Sequence, residues 1–353
     1  MNVLERKRLF VGIDLHKESL TVCMMEGSGE RRFERIPTKC RNRIAKFFTD
    51  LGSQYEVIAV VESVGFYHWF WDLVEPLVDE LHLANASGVR SAAGRRAKTD
   101  RNDAETLARL LRQDSVPYAF APGPELRALR QLVRHRERLR RRASSVKASL
   151  RMEMNKLNFR GPKTLNFASL HKWYTASYNK LTETAHIAIE DLSDQLEVFE
   201  RQIRRQDERI QRFVAGIPAF AEPIARLQTI TGIGPVTAAV IHAETAGLSR
   251  FDEEKEVVCY AGLAPRTFQS GDSCRHGRIG KDGPPILRKC LINAAWVAVA
   301  HDDAIKARFD QYRKRSGKKK AIVKLAAKML VWAWAMEKRS VDFDPAVVAK
   351  PAA

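Results

Sequence analysis

Cysteine is scarce in this sequence and follows no ligand pattern. The 353-residue chain has 5 cysteines, and no two of them are spaced as CxxC: Cys23, Cys40, Cys259, Cys274 and Cys290. An odd number of scattered cysteines argues against a disulfide framework and against a zinc site. This usage is typical of a reducing cytoplasm, where we expect the chain to act.

Long apolar runs and a secretory leader are also missing. The longest apolar stretches, such as LINAAWVAVA at 291–300, are too short to span a bilayer. The first residues, MNVLERKRLF, lead directly into a strand-like run and lack the layout of a signal peptide. The sequence therefore predicts no membrane-spanning segment.

Acidic residues are few relative to basic ones. The chain has 60 Lys and Arg against 42 Asp and Glu, which gives a formal net charge of +18. Such a surplus attracts a polyanion, nucleic acid before an anionic membrane surface. Hydrophobic residues make up 45% of the chain, enough for real cores, and its length suggests two or three domains.

Alternating strand and helix patterns predict an α/β domain over residues 8–117. Residues 8–25 are typical of two short strands around a turn, and EVIAVVES at 56–63 is typical of a buried strand that ends in a carboxylate. Helical patterns follow at 67–81 and 103–113. The stretch VPYAFAPGPE at 116–125 has three prolines and a glycine, and we interpret it as a linker.

Two heptad-like patterns predict a coiled-coil helical hairpin over residues 122–215. The first pattern consists of Leu129, Leu132, Arg136, Leu139, Ala143, Val146, Leu150 and Leu157, with Glu153 as a polar exception. The second consists of Ile189, Leu192, Leu196, Phe199, Ile203, Gln206, Ile210 and Phe213. We expect two long antiparallel helices, separated by the polar, aromatic-rich segment 159–181 and used for dimerisation.

The first of these helices is strongly basic. Residues 121–160 contain 12 Lys and Arg but only 3 Asp and Glu, whereas a solvated coiled-coil face usually mixes signs. We therefore expect this face to bind a phosphate backbone, with Arg140, Arg141 and Arg142 as candidate contacts.

A mainly α-helical third domain is predicted over residues 217–340. The stretch LQTITGIGPVTAAVIHAE at 227–244 is typical of a helix–hairpin–helix, in which the turn at Gly232 and Gly234 points backbone N–H groups at a phosphate. A plain turn between two helices is the alternative. A glycine-rich loop at 262–285 and helices at 286–300 and 319–338 follow. Residues 306–328, with ten basic residues and one acidic residue, indicate a second nucleic-acid face.

Four carboxylates stand out against this basic background. Asp14 and Glu62 end predicted strands, and strand-end acids of a parallel-type sheet gather at one edge. Asp100 and Asp103 lie in KTDRNDAETLARLL at 98–111, at the start of a predicted helix. The simplest alternative is that Asp100 or Asn102 only caps the helix Ala104–Leu111.

If all four acids meet, their mutual repulsion requires cations. Oxygen-rich sites suit Mg²⁺ or Mn²⁺, and two such ions can clamp the attacking and leaving oxygens of a phosphodiester. The opening GIDL also occurs in sugar-kinase-like and actin-like ATPases. Here, however, His16, Lys17 and Glu18 follow it, and no second glycine-rich phosphate loop is present, which disfavours an ATPase.

Five ordered motifs resemble the DEDD-type insertion-sequence transposases, a family of recombinases guided by a bridge RNA. They are GIDLHK, VVESVGFY, KTDRNDA, ITGIGPVTAA and YAGLAPRTFQSG with the following GRIGKDG and LR, and they extend over roughly residues 9–300. The resemblance implies a RuvC-like (RNase H fold) N-terminal domain, a coiled-coil insert and a C-terminal transposase domain. It also implies that the metal-binding acids are Asp14, Glu62, Asp100 and Asp103.

The same resemblance implies that Ser270, in a Gln-Ser-Gly context, is the nucleophile. Residue types alone leave Ser273, Cys274 and Tyr260 open as alternatives, because a Ser-Gly pair is usually a turn. The surroundings suit phosphoryl chemistry, since Arg266, Arg275, Arg278 and Lys281 can stabilise charge on a phosphoryl group. A phosphoserine link would conserve the energy of the broken phosphodiester.

The sequence thus predicts an Mg²⁺-dependent DNA recombinase that moves its own insertion element, guided by a structured RNA. We expect a homodimer or homotetramer, because exchange of several strands needs several active sites, and association with the nucleoid when active. One alternative is a RuvC-like metal-dependent nuclease that resolves junctions or flaps without a serine nucleophile. Another is a nucleic-acid scaffold without catalysis.

Overall fold

The computed structural model describes residues 6–93, 99–270, 273–280 and 283–349, without the side chains of 93, 267–270, 273–276 and 349. The chain forms two compact units, one through Ala121 and one from Pro122 onward. Their boundary lies inside the stretch interpreted as a linker. In the described part of the chain, no helix combines the length and the apolar character needed to cross a bilayer.

The first unit is built on a mixed sheet that has six strands among its described residues, in the order β3-β2-β1-β4-β5-β6. The strands are β1 (Lys7–Leu15), β2 (Ser19–Glu26), β3 (Arg31–Pro37), β4 (Tyr55–Glu62), β5 (Glu80–Ala84) and β6 (Tyr118–Ala119). The helices are α1 (Arg41–Gln54), α2 (His68–Val74), α3 (Ala86–Ala93) and α4 (Asp100–Arg112), with a short 3-10 helix at Glu75–Leu77.

The predicted α/β domain is confirmed, and its architecture is consistent with an RNase H-like fold. Strands β1, β2 and β3 are antiparallel neighbours, whereas β1, β4 and β5 run parallel. The helix expected over 67–81 is wrong in extent, because α2 ends at Val74 and β5 begins at Glu80. Pro76 lacks an N–H and so interrupts the helical ladder at that point.

Successive residues of β1 serve the two faces of the sheet. Leu9, Val11 and Ile13 are fully buried in the main core of the unit. Gly12 faces α4, where an added Cβ would lie 2.1 Å from the carbonyl oxygen of Ala104. Only glycine allows α4 to approach the strand this closely. Because side chains alternate along a strand, Asp14 lies on the same face as Gly12.

The second unit is mainly helical. Its helices are α5 (Pro124–Lys156), α6 (Phe167–Ser177), α7 (Glu183–Ala215), α8 (Pro218–Leu227), α9 (Pro235–Thr245), α10 (Glu254–Tyr260), α11 (Pro285–His301), α12 (Asp303–Ser316), α13 (Lys318–Arg339) and α14 (Ala346–Ala349). A short 3-10 helix follows α6 at Tyr178–Lys180, and two strands, β7 (Pro265–Ser270) and β8 (Ser273–Ile279), form an antiparallel pair.

Helices α5 and α7 pack antiparallel, as the sequence predicted. Lys147 pairs with Glu200 at 2.9 Å, and near the other end of the hairpin the Gln206 side chain donates to the carbonyl of Leu132 at 3.2 Å. Arg136, a polar member of the heptad pattern, is partly buried and pairs with Asp207. Polar side chains are thus tolerated along this contact because each has a partner across it.

The buried face of α5 differs from the predicted seam at its end. Met154 is buried at 1% exposure, whereas Leu157 lies one residue beyond the helix. Val133 and Glu137 are buried too, although neither belongs to the heptad pattern. Coiled-coil geometry along the whole hairpin and its use in dimerisation stay predictions.

Helices α8 to α13 share one large core, into which the first turns of α5 also pack. The helices expected at 286–300 and 319–338 correspond to α11 and α13. The expectation of a glycine-rich loop over 262–285 is wrong for most of that stretch, because it contains the β7–β8 pair. The β-branched Thr267 and the aromatic Phe268 favour a strand here more than the flanking glycines oppose it.

Candidate active site

The sheet brings Asp14 and Glu62 to adjacent positions. Strands β1 and β4 are parallel, with Ile13 opposite Val61, so Asp14 and Glu62 follow at the same level on neighbouring strands. Paired positions of adjacent strands share a face, here the face that α4 covers. The expectation that the two strand-end acids lie together at one edge is met by this register.

Helix α4 begins beside that edge, and its first turn contains Asp100 and Asp103. The simple capping interpretation of Asp100 or Asn102 is wrong. The N-cap is Thr99, whose side-chain oxygen accepts a hydrogen bond from the backbone N–H of Asn102 at 3.2 Å. Because Thr99 already satisfies that N–H group, the two carboxylates are available for other interactions.

A histidine joins the acids of the strand and the helix. His16 Nε2 lies 2.9 Å from Oδ2 of Asp14 and 3.4 Å from Oδ1 of Asp100. Asp14 is buried, with 8% of its side chain exposed, whereas the side chains of His16 and Asp100 are about half exposed at 52% and 45%. The cluster therefore has a buried floor and an open side.

The electrostatics of Asp14 reflect this crowding. Burial raises the pKa of the Asp14 carboxyl above its usual value of 3.8, and the charges of Asp103 and Asp100 raise the pKa further. His16 opposes them by its charge and by its hydrogen bond to Asp14. When burial and like charges raise the pKa of a carboxyl group, a nearby cation stabilises its charged form.

The donor set fits a divalent metal ion. The ligand atoms of Asp14, His16 and Asp100 lie within 4.8 Å of one another. Neighbouring ligands of an octahedral ion with bonds of about 2.1 Å are about 3 Å apart, close to the two distances from His16. Carboxylates suit Mg²⁺ and Mn²⁺, and an imidazole nitrogen suits transition metals. Such an ion would supply charge neutralisation and polarisation of a bound phosphate.

The other two predicted ligands lie around this group. Asp103 is close enough to raise the pKa of Asp14 by its charge, and Glu62 is placed beside Asp14 by the strand register. Within the described residues, neither belongs to the tight group of Asp14, His16 and Asp100. The fold therefore brings the four acids to one region, and three side chains, one of them a histidine, form its compact centre.

The backbone of Ser270 is the last residue of β7 and pairs with Ser273 of β8. The side chains of Ser270 and Arg275 lie outside the described part of the chain, as does the whole of Lys281. Arg266 donates from Nη2 to the carbonyl oxygen of Gly280 at 3.0 Å, and Arg278 is exposed. The predicted role of Ser270 thus rests on its sequence context.

The two glycines of the predicted helix–hairpin–helix differ from each other. Gly232 has a φ of +92°, and an added Cβ would lie 2.4 Å from the carbonyl oxygen of Ala294 in α11. Gly234 is exposed, directly precedes α9 and has no atom within 4 Å of an added Cβ. Packing accounts for Gly232, whereas phosphate binding by the N–H groups near Gly234 stays a prediction.

The basic face predicted on α5 is exposed. Arg140, Arg141 and Arg142 are all exposed, and Arg141 Nε lies 3.3 Å from Oε1 of Glu137 in the same helix. Eleven basic and three acidic residues occur in α5, whereas α7 has five basic and eight acidic residues. The positive charge of the hairpin is therefore concentrated on one of its two helices.

Sequence reasoning missed His16 as a member of the site and Arg35 as its neighbour. His16 is two residues after Asp14, directly beyond the end of β1, and this nearness along the chain is the signal that could have identified it. Arg35 Nη2 lies 3.8 Å from Oδ2 of Asp100. Arg35 belongs to β3, a strand of mixed polar sequence that no strong apolar pattern indicates.

Two segments of the chain match known transposase families. Residues 11–158 match the DEDD transposase family described for IS110, and residues 224–310 match the Transposase IS116/IS110/IS902 family. The "Putative transposase y4rJ" of Sinorhizobium fredii is 29% identical over 97% of this chain and 95% of its own length. The transposase for insertion sequence element IS1111A of Coxiella burnetii is 23% identical over 94% of this chain and 90% of its own length. The pilin gene-inverting protein of Moraxella bovis is 25% identical, with 81% of each chain covered.

Residues 11–158, which contain the acidic edge and helix α5, thus match the DEDD-type transposase domain. With the second match, the chain carries both transposase domains of the IS110/IS116 family of insertion-sequence transposases and recombinases. Transposition or recombination of DNA is the activity that this family implies.

Proposed function

We propose that this protein moves an insertion element by cutting and rejoining DNA at a metal site formed by Asp14, Glu62, Asp100 and Asp103. The main observation in support of this proposal is the contact of His16 with both Asp14 and Asp100 at the open edge of a sheet. Buried Asp14 anchors the site, and half-exposed Asp100 faces the approaching DNA. An Mg²⁺ or Mn²⁺ ion held there would polarise the scissile phosphate.

The proposed nucleophile is Ser270. Its Oγ would form a bond to phosphorus while one P–O bond of the DNA backbone breaks, and the freed DNA hydroxyl would take up a proton. Attack by a second DNA hydroxyl on the phosphoserine would rejoin the strand and release Ser270, so no ATP is needed. The Gln-Ser-Gly context and the basic residues Arg266 and Arg278 support this assignment.

One relative supports rejoining as well as cutting. The Moraxella bovis protein is named for gene inversion. Inversion of a DNA segment leaves every strand continuous, so each cut must be followed by ligation to a new partner. By analogy, we propose conservative strand exchange for this chain, in a homodimer or homotetramer that supplies several copies of Ser270.

We further propose that a structured guide RNA binds the exposed face of α5. The one-sided charge of this helix, with Arg140, Arg141 and Arg142 in succession, supports the assignment, because each neutralised phosphate releases counterions. Protein purified without nuclease should retain RNA encoded beside its own gene. Reversal of these three charges to Glu should release that RNA.

A matched control is available on the other helix of the hairpin. Arg201, Arg204 and Arg205 are exposed on α7, where acidic residues outnumber basic ones. Their reversal to Glu should leave RNA retention largely intact. If the retained RNA is a random sample of transcripts, or if both triple variants lose it equally, the guide-RNA proposal on α5 is wrong.

The metal-site proposal is tested by isosteric removal of charge. Asp14→Asn, and Asp100→Asn combined with Asp103→Asn, should abolish recombination of an element–target DNA pair in Mg²⁺. Asp50→Asn, an exposed acid on α1, is the control and should recombine normally. Normal recombination by Asp14→Asn would contradict the proposal, and wild-type protein that yields only nicked ends would favour a RuvC-like nuclease.

A further inference from the structure

A row of side chains crosses the sheet from the acid cluster to its edge. Asp14 of β1 pairs with Thr21 of β2, and Thr21 pairs with Arg35 of β3. Residues that pair across neighbouring strands share a face, so Asp14, Thr21 and Arg35 lie in line on the face covered by α4. Arg35 is the end of this row, because β3 is an edge strand of the sheet.

A groove of about 570 Å³ lies between this row and the start of α4. Thr21, Phe33 and Arg35 line it from the sheet, and Asp100 and Arg101 line it from the helix. A second recess of about 480 Å³ shares Arg35 and Asp100 and continues to His16. The acid cluster thus opens into a groove that runs toward the edge of the sheet.

Arg35 lies over this groove, and only part of the hydrogen-bonding capacity of its guanidinium is used. Its Nε donates to Oγ of Ser19 at 3.2 Å, and its Nη2 is 3.8 Å from Asp100, too far for a hydrogen bond. The side chain is 69% exposed. A guanidinium has five N–H donors in a planar fork that suits the oxygens of a phosphate.

The groove that contains Arg35 is also lined by an aromatic ring, that of Phe33, which packs against Arg101. The guanidinium carbon of Arg101 is 4.1 Å from the centre of the Phe33 ring. Flat guanidinium and aromatic groups are the surfaces on which unstacked bases pack, whatever their sequence. Glu34 also lines the groove, but its carboxylate is paired with Arg43 at 2.8 Å.

We propose that this groove binds a single strand of DNA beside the acid cluster, with Arg35 on a phosphate and a base against the Arg101–Phe33 pair. The proposal rests on the proposed function, and it makes Arg35 a positioning residue for the strand that is cut. Loading of the acid cluster with a cation would compete with Arg35 for Asp100 and free the guanidinium for the phosphate. Strand binding and metal binding therefore support each other here.

The test measures binding of a labelled single-stranded oligonucleotide to the full chain in Ca²⁺ at several salt concentrations. Arg35→Gln should weaken binding about tenfold and reduce the slope of affinity against salt by about one counterion. Arg8→Gln removes a similarly exposed arginine, which pairs with Glu56 at the opposite end of β1 from the acid cluster, and should bind as wild type does. Photocrosslinking of an iodouracil-substituted strand should label the peptide that contains Phe33.

Two results would contradict the proposal that this groove binds a DNA strand and would leave the proposed function intact. One is equal binding by Arg35→Gln and Arg8→Gln while Asp14→Asn still abolishes recombination. The other is crosslinking that labels only peptides outside residues 31–37 and 99–101. Wild-type protein that neither binds the strand nor recombines DNA would overturn both proposals.

Discussion

The imidazole of His16 and the carboxylate of Asp14 are in hydrogen-bonding contact, with Nε2 and Oδ2 separated by 2.9 Å. The two residues are two positions apart, with Asp14 near the end of β1 and His16 in the turn that follows it, where the His16 N–H donates to the carbonyl of Ser19. The side chain of Asp14 is buried, whereas about half of the His16 side chain is exposed. This contact opposes the rise in the pKa of Asp14 that burial and the neighbouring acids cause.

The first prediction concerns the cost of the buried charge. Because burial and neighbouring acids raise the pKa of Asp14, the folded chain retains a proton that the unfolded chain has already lost at the same pH. Stability therefore falls as pH rises from 3.8 through the raised pKa. In metal-free buffer at pH 7, Asp14→Asn should melt a few degrees above wild type.

This gain should vanish in two conditions. Below pH 3.8, both Asp14 and its Asn replacement are neutral, and the two proteins should melt together. In Mg²⁺, wild type alone should gain stability from the ion. Thermal melts with EDTA and with Mg²⁺ over this pH range check the prediction, and an Asp14→Asn protein that is less stable throughout would contradict it.

The second prediction concerns the choice of metal. If His16 is a ligand, its removal should weaken Mn²⁺ binding about tenfold or more, and Mg²⁺ binding less, because imidazole nitrogen favours the transition metal. Titration of His16→Ala with each ion measures the ratio. His82→Ala is the control, because His82 pairs with Glu80 at 2.8 Å on a different strand. An unchanged ratio would exclude His16 as a ligand.

The third prediction separates the two glycines before α9. Gly232→Ala places a side chain at a φ of +92° and against the backbone of α11, and should lower the free energy of unfolding by about 2 kcal/mol or more. Gly234→Ala meets open space and should change stability by less than about 1 kcal/mol. Urea unfolding of both variants provides the comparison, and equal losses would contradict the packing role of Gly232.

The fourth prediction concerns an ion pair between α5 and α9. Arg134 contacts both carboxylate oxygens of Glu244, at 2.8 and 2.7 Å, and Glu244 is fully buried whereas Arg134 is half exposed. Arg134→Ala leaves the buried carboxylate of Glu244 without this ion-pair partner and should lower the free energy of unfolding by about 3–5 kcal/mol. Glu244→Gln leaves the guanidinium of Arg134 unpaired with this residue but accessible to solvent, and it should lower the free energy of unfolding by less. If denaturant unfolding shows a larger loss for Glu244→Gln than for Arg134→Ala, the burial of Glu244 does not determine the cost of breaking this ion pair.

The strand-end acids could be predicted because they follow buried apolar strands. Asp14 comes after VGI and Glu62 after VIAVV, and the parallel pairing of two such strands follows from general rules of α/β folds. The long helices were predictable too, since their periodic patterns extend over many turns. Helix α12 was not predicted, because its polar sequence is amphipathic only where Ile305 and Phe309 are buried.

The composition of the site's centre could not be predicted in the same way. Whether His16 turns toward Asp100 depends on where α4 begins, and that start depends on Thr99 as the cap and on Gly12 beneath the helix. Arg35 is on an edge strand with alternating charges, which a sequence pattern does not separate from a loop. Contacts between distant segments, rather than local propensity, place these residues.

The central claim is that Ser270 joins covalently to DNA at a site activated by the acid cluster. Wild-type protein and an end-labelled element–target DNA should give, on a denaturing gel, a protein–DNA adduct that protease shortens. Ser270→Ala should bind DNA and metal but form neither adduct nor recombinant, whereas Ser273→Ala should form both. An adduct that persists in Ser270→Ala, or nicked ends without any adduct in wild type, would contradict the account.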